Sequence, residues 1–162
     1  IVLIFVTTGT QKFPFDRLLK AVDKEIQEGT IKEKVFAQIG ASNYHPKNYE
    51  YVKFMTPEEM DKKRREASLI LTHGGTNSII TALRLGKPVV AVPRLARYKE
   101  HVDDHQKEIL EEMRTGGLII TVENMENLAD AIKEAKSRPP VIYREDGKRL
   151  VGYIENLLEG NV

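Results

Sequence analysis

The sequence predicts one α/β domain across residues 1–162, a doubly wound parallel sheet of about six strands with helices on both faces. Three observations predict it. Short β-branched runs alternate with helical stretches along the chain. Several of those runs are continuously apolar, as strands covered on both faces must be. The stretches TTGT, FMTP, THGGTNS and VPRLARY all follow such runs, so they share the carboxyl rim where open parallel sheets bind ligands.

The elements follow in order. IVLIFV at the start lacks a basic leader and is too short to span a membrane, so it is read as a buried first strand and not a signal peptide. Phe15, Leu18, Leu19, Val22 and Ile26 form one helical stripe, ended near Gly29. KVFAQIG (34–40) and YEYVKFM (49–55) read as strands two and three across the turn-rich ASNYHPKN. Thr56, Pro57 and Glu59 supply an N-cap, a first-turn proline and a capping-box acid for a polar helix. ASLILT is strand four, with HGGTNS at its end. Ile79, Ile80 and Leu83 give the next helix its buried side and Gly86 stops it. KPVVAVP is strand five, a helix follows around Asp104 to Met113, and GGLIITV is strand six. NLADAIKEA forms a helix with Leu128 and Ile132 on one face, SRPP breaks it, and Leu150, Ile154, Leu157 and Leu158 mark a last amphipathic helix.

Composition narrows the function classes. The chain has 25 Lys+Arg against 24 Asp+Glu, a net charge of +1, which gives no overall attraction to nucleic acid. The run KKRRE from Lys62 to Glu66 reads as a solvated helix face, with anionic head groups or an acidic partner as the alternative. The absence of cysteine excludes a disulfide framework, a zinc-thiolate site and a cysteine nucleophile. It suits a reducing compartment.

Two constellations carry chemistry. Around HGGTNS, a strand, a glycine loop and a helix start bring unpaired N–H groups and a positive dipole end together, a place for an anion. Gly74 and Gly75 would let backbone approach a phosphate, and Thr76, Asn77 and Ser78 add donors. The residues alone leave open a tight strand-to-helix turn capped by Asn77 or Ser78, for the loop is neither GxGxxG nor a P-loop. In HVDDHQKE, His101, Asp104 and His105 would share a helix face. That face could hold a metal, Asp103 or Asp104 could be an N-cap, or Asp104, His105 and Gln106 could face sugar hydroxyls.

THGGTNSIITALRLGKPVVAVPR followed by EHVDDHQKEI and GGLIITVE resembles the carboxyl-terminal, donor-binding lobe of the GT-B glycosyltransferases. It is similar in particular to the small catalytic subunit of split enzymes, the dolichol-linked UDP-GlcNAc transferases and bacterial exopolysaccharide transferases. VTTGTQKFPFDRLLKAVD fits that subunit too, so the resemblance covers nearly the whole chain. It implies a Rossmann-like lobe that takes a UDP-sugar. Gly74, Gly75, Thr76 and Asn77 would hold the diphosphate, with Thr8, Gly9 and Thr10 closing from the first loop. Phe54 and Met55 would meet the uracil ring, largely through backbone. Asp104, His105 and Gln106 would meet the sugar, and His73 would sit near the phosphates or the sugar. Full-length relatives often carry a glutamate for the ribose where Thr81 stands here.

The resemblance also implies inverting transfer of a hexose or N-acetylhexosamine, with no metal or other cofactor. The general base would lie on a partner, and His73 and His105 would contribute at most. A GT-B enzyme has two lobes, so the other would be a membrane-anchored subunit that receives a lipid-linked acceptor. This chain would then work in the cytoplasm, at the membrane face, through that partner. The first loop and the helix near Lys62 are candidate contact surfaces. An isolated lobe could also pair with itself. Two alternatives belong to other classes: a non-catalytic nucleotide-sugar-binding regulatory module, and a metal-dependent hydrolase using His101, Asp104 and His105.

Overall fold

The computed structural model describes residues 2–9, 13–98, 100 and 104–138, with Asp104 and His105 described as backbone only. The elements are β1 (Leu3–Thr7), α1 (Asp16–Gln27), β2 (Lys34–Gln38), β3 (Glu50–Val52), α2 (Pro57–Glu66), β4 (Leu69–Thr72), α3 (Thr76–Arg84), β5 (Val89–Ala91), α4 (Asp104–Thr115), β6 (Ile120–Thr121) and α5 (Leu128–Ser137). The expected helix through Leu150 to Leu158 lies outside the described residues.

All six strands join one sheet in the order β3-β2-β1-β4-β5-β6, and every neighbouring pair is parallel. This is the expected doubly wound sheet, and its order reverses between β1 and β4. β1 is central because its five residues, LIFVT, are all buried. Ile4 pairs with Val35 on one side and with Leu69 on the other.

Strand residues alternate between two apolar layers. Ile4, Val6, Leu69, Leu71 and Val90 pack with Leu18, Leu19 and Val22 of α1 and Leu128 and Ile132 of α5. Phe5, Ile70 and Ala91 pack on the other face with Met60 of α2, Ile79 and Leu83 of α3, and Ile109 and Met113 of α4. Each fully buried Leu, Ile or Phe contributes about 1.5–3 kcal/mol, so helices on both faces are what hold this sheet.

Local chemistry sets the helix limits as expected in most places. The Thr56 hydroxyl accepts the N–H of Glu59 at 3.1 Å and Pro57 follows in the first turn. Gly29 and Gly86 take positive φ (80° and 72°) just past the ends of α1 and α3. At α3 the outcome differs. Its N-cap is Gly75 with no side-chain cap, and Asn77 and Ser78 lie inside the helix. The strands also differ from their apolar runs. β1 begins at Leu3, with Val2 half exposed, and β3 ends at Val52, past which the Lys53 carbonyl accepts from Gly40 N–H and the Gln38 amide. β5 and β6 shorten likewise, since apolar residues such as Val92 and Ile119 continue into the core beyond the paired positions.

α1 also anchors the long turn between β2 and β3. Asp16 accepts the N–H groups of Asn43 and Tyr44 at 2.8 and 2.9 Å. Buried Asp23 accepts Tyr44 O–H, Lys47 N–H and Asn48 N–H at 2.5, 2.8 and 2.9 Å. Burial pushes the Asp23 carboxyl up, but these hydrogen bonds together outweigh it and leave it below its ordinary value. The same bond holds the Tyr44 phenol up at about 12.

Candidate functional site

The switch point places the ends of β1 and β4 side by side, since Thr7 pairs with Thr72. Each strand then runs into a glycine turn, with Gly9 at φ 87° and Gly74 at φ 92°. The next residue, Gly75, has ordinary backbone angles (φ −67°, ψ 125°) and starts α3. That helix has no acidic residue in its first turn and no side-chain cap, so the N–H groups of Thr76, Asn77 and Ser78 have no intrahelical acceptor. Together with the dipole, they can hold an anion.

The first loop is fixed from behind. Buried Gln38 accepts the Thr7 hydroxyl at 2.8 Å and donates to the carbonyls of Gly9 and Lys53 at 3.0 and 3.1 Å. Thr8 is buried, and its hydroxyl donates inward to the Gln38 carbonyl at 3.2 Å. Its side-chain proton is thus already used within the first loop.

His73 links the two loops. Its N–H donates to the Thr7 carbonyl at 3.2 Å, and its imidazole fills the gap between Gly9 and Gly75. A Cβ at Gly9 would stand 2.7 Å from Nε2, and one at Gly75 would stand 2.4 Å from Cε1 and 2.6 Å from Nε2. The missing side chain at Gly75 thus makes room for an imidazole, whereas the sequence suggested room for a phosphate. Gly74 has a different neighbour, Leu110 of α4, whose Cδ1 would lie 3.0 Å from an added Cβ.

Arg94, just past β5, holds this arrangement. Its Nη1 donates to His73 Nδ1 at 3.1 Å, and its Nη2 donates to the carbonyls of Thr8 and Phe13, each at 3.0 Å. Its guanidinium also lies over the Phe15 ring, 5.0 Å from the centroid. Burial, helped by the Arg94 charge, pushes the His73 imidazole down to about 3, so it is neutral at neutral pH. Burial lowers the Arg94 guanidinium too, and Glu100 pulls it back up. Glu100 is bound bidentately by Arg17 at 3.1 and 3.2 Å and accepts Leu95 N–H at 2.8 Å, which fixes the chain after Arg94.

The other expected residues are placed as follows. Thr76 and Ser78 are half-buried in the first turn of α3, and Asn77 is exposed. Thr81, one turn further, donates its hydroxyl to the Asn77 carbonyl at 2.7 Å, so that proton is turned toward its own helix. Phe54 is 60% exposed on the same rim, beyond β3, while Met55 packs against the α2–α3–α4 layer. Asp104, His105 and Gln106 open α4, and Gln106 is half-buried. Thr10, His101 and the side chains of Asp104 and His105 lie outside the described residues.

Sequence reasoning missed Arg94, Gln38 and the packing of His73 between glycines. A signal for Arg94 was present, an arginine directly after the apolar run of strand five. A cavity of about 600 Å³ lies beside the crevice, between α1 and the turn at Met125–Asn127, and its lining includes the Arg17–Glu100 pair with Ala21, Lys24, Tyr98 and Met125 but not Gly9, His73 or Gly75. No described helix is long and apolar enough to cross a membrane.

Residues 3–151 match the glycosyltransferase family 28 C-terminal domain. The chain is 30% identical over 146 residues to the UDP-N-acetylglucosamine transferase subunit ALG13 of Debaryomyces hansenii, a match covering 83% of this chain and 67% of that one. A crystal structure of the kitacinnamycin glycotransferase superposes with a TM-score of 0.68 at 20% identity, over 99% of this chain and 40% of that chain. A solution structure of ALG13 superposes with a TM-score of 0.58 at 17% identity, over 92% of this chain and 94% of that one. This chain therefore has the fold of one glycosyltransferase lobe and spans well under half of the kitacinnamycin enzyme. It belongs to the glycosyltransferase family 28 C-terminal domain family.

Proposed function

We propose that this chain is the donor-binding, catalytic subunit of a heteromeric inverting glycosyltransferase, moving a hexose or N-acetylhexosamine from a UDP-sugar to a lipid-linked acceptor. The observation that carries it is the uncapped start of α3 at the β1/β4 switch point, flanked by the Gly9 loop and neutral His73. That site suits a diphosphate. The N–H groups of Thr76, Asn77 and Ser78 would each contribute about 1.5–3 kcal/mol as hydrogen bonds to a charged group, and the dipole up to ~2 kcal/mol. These sum to at most ~11 kcal/mol, and an association cost of at least about 4 kcal/mol leaves up to ~7, a complex between millimolar and about ten micromolar.

In the transfer step an acceptor hydroxyl attacks the anomeric carbon from the face opposite UDP, the glycosidic bond to the β-phosphate oxygen breaks, and charge grows on the departing diphosphate. N–H donors aimed at that charge bind the transition state more tightly than the ground state, which lowers the barrier. The cationic role is filled by backbone and dipole, so the proposal includes no metal. His73 would donate to a phosphate or sugar oxygen, Gln106 with Asp104 and His105 would meet the sugar hydroxyls, and Phe54 and Met55 the uracil. The acceptor proton goes to a base on a partner lobe. That partner would be a membrane-anchored subunit, holding this chain at the cytoplasmic membrane face.

Calorimetry with UDP and a panel of UDP-sugars tests donor binding. Heat at micromolar to millimolar ligand is expected, and none at millimolar UDP would remove the proposal's basis. Affinity purification from native membranes, followed by transfer assays with and without the captured subunit, tests the split. A second reading, a regulatory module that only binds nucleotide sugar, is favoured by Thr81 turning its hydroxyl to Asn77 where a ribose-gripping carboxylate would serve. Transfer restored by the captured subunit would exclude it.

A further inference from the structure

We infer that Arg94 is a positioning residue for the donor site, which fixes His73 as the tautomer that keeps its proton on Nε2, between the Gly9 and Gly75 loops. It rests on the donor-binding reading above, and it adds a residue that reading did not use.

The inference follows from hydrogen-bond chemistry. A guanidinium only donates, so the Arg94 Nη1 contact at 3.1 Å makes His73 Nδ1 the acceptor. A neutral imidazole accepting at Nδ1 carries its proton on Nε2. Nε2 has no hydrogen-bond partner among the described residues, and it lies in the gap where Cβ atoms at Gly9 and Gly75 would both come within 2.7 Å. The ring's remaining donor is thus held at the junction of the two glycine loops, beside the open start of α3. An anionic oxygen accepts such a proton.

Arg94 also sets the spacing of that junction. Its Nη2 holds the carbonyls of Thr8 and Phe13 from either side of the first loop, while Nη1 reaches His73, the residue just past β4. One planar group therefore joins the loops after β1, β4 and β5. A lysine, with one ammonium nitrogen, cannot present that fork. The buried Nε of Arg94 has no hydrogen-bond partner among the described residues, so its polar contacts are carried by the two Nη groups above the Phe15 ring.

The test is the tautomer of His73, read by long-range proton–nitrogen NMR of the 15N-histidine-labelled chain without ligand, assigned by comparison with His73→Gln. The wild type is expected to show Nδ1 unprotonated and Nε2 protonated at neutral pH. Arg94→Met should leave the backbone amide spectrum folded, give mixed tautomers, and weaken UDP binding about tenfold, the loss of one hydrogen bond to a charged group. Arg94→Lys, which keeps the charge, should fail to restore the tautomer, and it decides the question should Arg94→Met not fold. In a His73→Gln background, Arg94→Met should weaken UDP binding less than it does in the wild type. A wild-type ring protonated on Nδ1, or an Nε2-protonated ring that persists in both Arg94 variants, would overturn the inference. Failure of the wild type to bind UDP, with the tautomer behaving as described, would instead overturn the donor-binding reading.

Discussion

Gly75→Ala is a one-methyl change whose cost, beyond the ordinary loss of a glycine N-cap, can be assigned to a single neighbour. The backbone at Gly75 (φ −67°, ψ 125°) is ordinary for any residue, so alanine brings no conformational strain there. Its Cβ would stand 2.4 Å from Cε1 and 2.6 Å from Nε2 of His73, about an ångström inside normal contact at ~3.5 Å. The imidazole cannot simply swing away, because Arg94 holds Nδ1 at 3.1 Å and Gly9 closes the other side. Overpacking of this kind costs about 1–3 kcal/mol, or a fall in Tm of roughly 2 to 12 °C for a chain of this size. Urea unfolding of four proteins decides the matter: wild type, Gly75→Ala, His73→Ala and the double variant. When the ring is absent, the loss from Gly75→Ala should shrink to the ~1 kcal/mol that alanine costs at an N-cap. An equal loss in both backgrounds would refute the reasoning. It would mean that the glycine is required by something other than the imidazole.

Three further outcomes follow from the same geometry. Because burial and Arg94 hold His73 down at about 3 in the folded chain, against ~6.5 when unfolded, the unfolded state takes up a proton first as pH falls. Stability should then drop by up to about 1.4 kcal/mol per pH unit below pH ~6.5, and this component should be missing in His73→Gln denaturation series. Asp23→Asn should cost about 1–3 kcal/mol in urea unfolding, since an amide cannot accept from Tyr44, Lys47 and Asn48 together. The depressed Asp23 carboxyl also contributes stability above pH ~4 that is lost as pH falls through its folded value, so the variant should show a shallower acid limb. Gln106→Ala should leave UDP affinity within about twofold while narrowing the differences among UDP-sugars in calorimetry, each tenfold being 1.4 kcal/mol. Parallel loss of both would show that the phosphate and sugar ends have been assigned wrongly.

Local signals in the chain spoke for elements, and long-range contacts spoke for the site. The continuous run around Ile4, Phe5 and Val6 could only be a strand covered on both faces, and it is the centre of the sheet. Thr56, Pro57 and Glu59 placed the start of α2 through chemistry confined to four residues. The residues before Leu3 and after Val52 were overextended, because an apolar run does not reveal whether a neighbouring strand has a partner for it. At the crevice, the small-residue stretch was visible and its reason was not. Gly9 and Gly75 are far apart in sequence, and only the fold shows that one imidazole explains both. Asp23 offered a signal that passed unread, a carboxylate directly after Val22 on a helix whose neighbouring positions are core.

The pairing of Ile4 with Leu69 has a kinetic consequence. The central strand is made first and must wait more than sixty positions for its second neighbour, a non-local contact of the sort that slows folding. The two sides of the crevice come from those two strands, so neither half of the chain has a site alone. Ligand binding in this crevice would therefore be coupled to completion of the sheet, and a ligand at a hundred times its Kd would add about 2.7 kcal/mol to the fully folded state. If the proposed donor site is occupied in the cell, a cell with ample nucleotide sugar would thus hold this chain folded more firmly than an empty tube does.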